Sequence, residues 1–83
     1  MAAQNAFKNN PLTQEYEEKA KNLLKAEMKR KGSTYRDLAE RLTAMDVPET
    51  ERNLANKISR GGFTAAFFLQ CLKALEVQRL DLG

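Results

Sequence analysis

The chain has 83 residues, 42% of them apolar and 30% charged, with a formal net charge of +3. A chain of this size buries about 60–65% of the surface its unfolded form exposes, so it has room for one small core, and its composition excludes collagen-like, mucin-like and wholly disordered classes. The longest nearly uncharged apolar stretch, Phe63 to Leu72, falls short of the ~20 residues a bilayer crossing needs. No apolar segment of the secretory type opens the chain, so no leader is expected.

Residues 1–12 show no periodicity and hold three Asn and a Pro, which predicts a flexible arm ahead of a single domain at 13–83. Thr13 is the expected cap of the first helix. Glu15, Glu17 and Glu18 follow near its positive end, and Lys29, Arg30 and Lys31 lie near its negative end. Gly32 supplies a left-handed stop. Tyr16, Ala20, Leu23, Leu24 and Met28 form the predicted core stripe. Glu27 falls inside that stripe as either a buried ion-pair member or a rim residue, with the rim favoured. Lys21, Lys25 and Lys29 share another face, more simply a solvated face than a phosphate contact.

Ser33 or Thr34 is the expected cap of a second helix, Tyr35 to about Ala44, with Leu38, Ala39 and Leu42 inward. A turn through Pro48 follows. A third helix is expected over 49–60, with Leu54, Ala55 and Ile58 inward and Val47 at the entry. Its other face reads Arg52, Asn53, Asn56, Lys57 and Arg60. That face is rich in donors, and Asn and Arg match adenine and guanine edges in a major groove. Ordinary solvated faces favour Glu/Lys pairs over Asn, a mediocre helix former.

Gly61-Gly62 ends the third helix. Thr64 caps a fourth over 64–75, with Phe63 placed to staple against Phe68. This helix is apolar nearly all round, which predicts burial on most sides, at the centre of the fold or in a subunit contact. Tyr16, Phe63, Phe67 and Phe68 are the aromatic core candidates. The tail Val77–Gly83, with alternating Leu80 and Leu82, reads as a short strand pairing with a second copy or as a segment lying flat on the core. The fold class expected is therefore all-α: a compact four-helix domain with a short extended C-terminal tail.

Charge is uneven along this plan. Residues 1–32 carry seven Lys/Arg against four Glu, residues 33–62 balance five against five, and residues 63–83 two against two. The chain has one cysteine, Cys71, and no histidine. An internal disulfide, a His-containing zinc site, a Ser-His-Asp triad and a Cys-His dyad are thereby excluded. No metal and no cofactor are expected, and the expected compartment is the reducing cytoplasm. Cys71 lies in the most apolar helix, where a thiolate is disfavoured, and Gly61-Gly62 is a helix stop rather than a phosphate cradle. No enzyme is expected.

The segment TYRDLAERL, then a turn, then NLANKISRG and FFLQCLKALEV, resembles the helix-turn-helix of Cro/repressor-type (lambda repressor-like) bacterial and phage regulators over Thr34 to Val77. The longer string NLANKISRGGFTAAFFLQCLKAL resembles a small family of uncharacterised bacterial domains. The first resemblance implies that Leu38, Ala39 and Ile58 are motif core. It implies that Arg52, Asn53, Asn56 and Lys57 meet base edges or phosphates in the major groove, with Tyr35 and Arg36 over a backbone phosphate. Three departures stand out. The segment between Leu42 and Ile58 is about six residues longer than the usual motif, Tyr35 stands where Gln is common, and Met28 and Ser59 stand where many members bury an Arg–Glu pair.

Two functions follow as expectations. One is a double-stranded-DNA-binding transcriptional regulator, with phosphate contacts from Arg36, Lys57, Arg60 and Tyr35 and base reading by Arg52, Asn53 and Asn56. It would act as a homodimer through Phe67, Leu69, Val77, Leu80 and Leu82. The alternative is a protein-protein interaction module using the apolar helix 64–75. Glu49 and Glu51, beside the supposed reading face, favour the alternative.

Overall fold

The computed structural model describes residues 10–83. Its helices are α1 (Pro11–Lys31), α2 (Tyr35–Ala44), α3 (Glu51–Arg60) and α4 (Ala65–Ala74). The domain is all-α, and no strand occurs among the described residues. At the backbone level α1 packs on α3 and α4, and α2 packs on the same two. Each pair of helices thus clamps the other around one core. Leu24, Leu38, Leu42, Leu54, Ile58 and Cys71 are its largest fully buried side chains.

Side-chain caps open every helix, satisfying first-turn amides that have no helical partner. Thr34 and Asp37 form a reciprocal capping box on α2. Thr50 accepts from Asn53 N, and Thr64 from Phe67 N. The start of α1 differs from expectation. Asn10 is the cap, accepting from Leu12 N at 2.8 Å, and Pro11 holds the first helical position. Proline there loses no hydrogen bond, since that amide is unpaired in any case. Thr13 therefore lies inside the helix, Pro11 and Leu12 leave the predicted arm, and Glu15, Glu17 and Glu18 fall beyond the first turn. The rest of the arm, residues 1–9, lies outside the described residues. The third helix is also shorter at its start than expected, because Thr50 caps it and leaves Pro48 and Glu49 in the turn.

Three helices end alike. The chain turns left-handed at Gly32, Asp46 and Glu76, and the next amide reaches back to close the last turn: Ser33 N to Met28 O, Val47 N to Leu42 O and Val77 N to Leu72 O. This is the Schellman arrangement, which favours an apolar residue after the left-handed one. Val47 and Val77 fill that role and pack on the core. The tail forms no ladder. Val77 and Leu80 lie on the core instead, which realises the flat alternative rather than the strand.

The α3–α4 corner meets α1 at one tight point. A Cβ at Gly61 would lie 2.7 Å from the Glu17 carbonyl oxygen, and Gly61 has a φ of +72°. Gly32 has a similar φ with nothing within 4 Å. Left-handed backbone disfavours any side chain by about 1–2 kcal/mol, and only Gly61 adds a clash with backbone. Gly61→Ala is therefore expected to lower unfolding free energy by more than about 2 kcal/mol, and Gly32→Ala by about 1 kcal/mol, measured by chemical denaturation of each variant beside the wild type.

Candidate nucleic-acid interface

Leu54 and Ile58 are the two α3 side chains sealed from solvent. They stand four residues apart on one face, so the opposite face turns outward. Arg52, Asn53, Asn56 and Arg60 are all exposed there. Among the described residues none of these four side chains makes a hydrogen bond or ion pair within the chain. All their donors are thus free to meet an external acceptor, and no carboxylate interrupts the group.

Lys57 belongs to a different arrangement. It stands at the edge of α3 nearest the core and pairs with the Glu49 carboxylate, whose side chain is only 5% exposed. Its ammonium also lies 5.1 Å from the centre of the Phe67 ring. The backbone of Glu49 is held by the Thr43 hydroxyl, which accepts from Glu49 N and also reaches the Ala39 and Glu49 carbonyls. Sequence reasoning placed Lys57 on the free face and Glu49 as a repelling surface charge. The structure turns Glu49 inward and neutralises the two together. The available sequence signal was the eight-residue separation across a turn, which no helical periodicity reports.

Arg36 is exposed and lies 3.6 Å from the Glu40 carboxylate, a loose surface pair. Tyr35 is half-buried and packs against the core. It lines a hollow of about 370 Å³ with Lys25, Lys29, Ser33, Thr34 and Glu51, where α1, α2 and α3 converge. The structure thus brings two α1 lysines beside the start of the α3 face, a juxtaposition their sequence distance does not indicate. A second hollow, of about 290 Å³, lies at the other end of α3 and has Lys57 and Arg60 at its edge and Phe63 and Phe67 in its wall.

The expected subunit-contact residues separate. Phe67, at 7% exposure, is buried in the domain's own core, and Val77 and Leu80 pack against that core. Leu69 and Leu82 remain exposed. The fourth helix is accordingly buried on one side only, with Ala65, Ala66 and Leu69 facing solvent. Phe63 and Phe68 stack with centroids 5.7 Å apart, as the staple requires. Tyr16 is 62% exposed and leaves the predicted core, whereas Met28 joins it. Ser59 is exposed, so of the two positions that bury an ion pair in the resembling motif only Met28 is replaced by apolar packing. Glu27 is half-buried and paired with Arg30.

Cys71 is sealed from solvent. Burial, and then the Glu49 charge, push its thiol up to about 12, with Lys57 pulling the other way. No group of three or more metal-ligating side chains occurs among the described residues. No helix there is long and apolar enough to cross a membrane.

Residues 16–80 match the family described as a domain of unknown function (DUF6471), and the chain belongs to that family. No curated protein and no solved structure matches it significantly. The family description carries no activity, so the functional reading rests on the geometry above.

The thiol supplies a direct check on the core. Protonated and enclosed, Cys71 is expected to stay unreacted with a bulky aromatic disulfide reagent at pH 8 in the native protein. One equivalent should react once denaturant unfolds the chain.

Proposed function

We propose that this domain binds double-stranded DNA without catalysing a reaction, acting as a helix-turn-helix transcriptional regulator that places α3 in the major groove. The observation that carries the reading is the outward α3 face, where Arg52, Asn53, Asn56 and Arg60 present unengaged donors. In this reading Arg52, Asn53 and Asn56 meet base edges, and Arg60 and Arg36 meet phosphates. Lys25 and Lys29, across the hollow from Tyr35, add positive charge beside the start of α3. The inward turn of Glu49 supports the reading too, because it removes one carboxylate from the path of a polyanion. Lys57 contributes less than its position in the sequence implies, since Glu49 already engages it. One recognition helix reads only a short site, so two copies would span half-sites one turn apart.

A second reading is a protein-interaction module built on α4. The observation favouring it is Leu69, 64% exposed on a helix whose neighbouring outward residues include Ala65 and Ala66. Ionic strength separates the two readings. Contacts to phosphates release counterions, so DNA affinity falls steeply with salt, whereas an apolar contact at Leu69 is nearly indifferent to it.

The test is selection from random duplexes followed by mobility-shift titration at several salt concentrations. Arg52→Ala and Asn53→Ala are each expected to weaken binding to the selected site by about 1–3 kcal/mol and to relax specificity. Arg60→Ala should weaken selected and random duplexes alike and flatten the salt dependence by about one counterion. Failure of the wild type to retain any duplex at low salt overturns the proposal.

A further inference from the structure

Among the described residues, nothing packs beneath the first turn and a half of α1. The α3–α4 corner touches α1 at Glu17, and the residues before it are exposed except the half-buried Thr13. Leu12 is 59% exposed and Tyr16 62%. They begin a seam that continues along the helix. Leu12, Tyr16, Lys19, Leu23, Ala26 and Arg30 follow at alternating steps of four and three, the spacing that keeps one helix against another over many turns. The core-facing residues Leu24 and Met28 lie on another side, so this seam stays outside the core, with Leu23 half-buried beside the tail. Beside it the tail adds Leu82, 60% exposed, which with Leu23 and Ala26 lines a hollow of about 480 Å³.

We infer that this seam docks a second copy of the same chain, with the two α1 helices antiparallel. The charge pattern selects that occupant and that direction. Glu15, Asn22 and Lys29 flank the seam on one side at intervals of seven, and all three are exposed. Turned end for end about a twofold axis, Glu15 of each copy meets Lys29 of the other, and Asn22 meets its counterpart. A parallel pairing would instead set Glu15 against Ala20 and Asn22 against Glu27 of the other copy, so neither Glu15 nor Lys29 would meet an opposite charge. In the antiparallel register the large Tyr16 ring falls opposite the small Ala26, at the hollow beside Leu82, and Lys19 falls opposite Leu23. Lys19 already lies 5.9 Å from the Tyr16 ring centre, so the ring face offsets its charge at the seam while its stem covers neighbouring apolar surface. Among the described residues, Leu69 on α4 is the other large apolar side chain exposed on a helix, and it has no flanking charge pattern that names a partner. The inference shares only Lys29 with the DNA-binding reading and is tested without nucleic acid.

Sedimentation equilibrium of the full chain over a wide concentration range is expected to show a reversible species of twice the 9.4 kDa chain mass. Tyr16→Glu should abolish it while leaving the helical circular dichroism unchanged, because the side chain is outside the core. Glu15→Lys and Lys29→Glu should each weaken association at least threefold. The two together should restore it to within about twofold of wild type, since the exchanged charges again oppose one another. A monomer at the highest concentration overturns the inference, as does a double variant no better than the single ones.

Discussion

The burial of Leu54 and Ile58 between α1 and α2 is the constraint on which the rest depends. A ten-residue helix has three turns, and these two side chains use one face of them. The helix is held by packing rather than by propensity, because its remaining positions are largely polar and two are Asn, a mediocre helix former. Once that face is inward, Arg52, Asn53, Asn56 and Arg60 have nowhere to go but solvent. Their outward display follows from core packing, and any ligand they meet finds them already in place.

The turn ahead of α3 serves the same end through electrostatics. Thr43 holds the backbone of Glu49, which directs its carboxylate inward to Lys57, and Lys57 in turn lies near the Phe67 ring. One side chain from the turn, one from α3 and one from α4 thereby meet above buried Cys71. The pair links the three segments and removes a negative charge from the neighbourhood of the donor-rich face. The glycine at 61 completes the corner, since only a residue without a side chain lets the chain pass so near the Glu17 carbonyl.

Most of the local architecture was legible in the residues. The Thr64 cap, the Gly32 and Gly61 stops, the Phe63–Phe68 staple and the bounds of α2 follow from short-range chemistry, and the structure has them; of Ser33 and Thr34, both candidates to cap α2, it uses Thr34. The misreadings share a cause. Tyr16 fits the α1 core stripe by spacing, yet among the described residues no helix lies beneath that end of α1, and it is exposed. Thr13 is an acceptable cap, but Asn10 before Pro11 is a better one and starts the helix earlier. Phe67 fits a subunit contact by its apolar neighbours, yet the domain's own core covers it, and Val77 and Leu80 pack on that core while staying half-buried.

The sequence by itself determined the all-α class, the order of four helices, the exclusion of histidine chemistry and the donor-rich character of α3. Those properties depend on composition and on contacts between residues a few positions apart. Only the tertiary structure decided that Glu49 neutralises Lys57, that Lys25 and Lys29 stand beside the start of α3, and that one stripe of α1 stays open while the adjacent stripe is buried. A helix carries its faces in its periodicity, but which face is covered depends on the length and placement of its neighbours. The long α1 extends past its two short partners, α3 and α4, and no spacing rule within it records where they end.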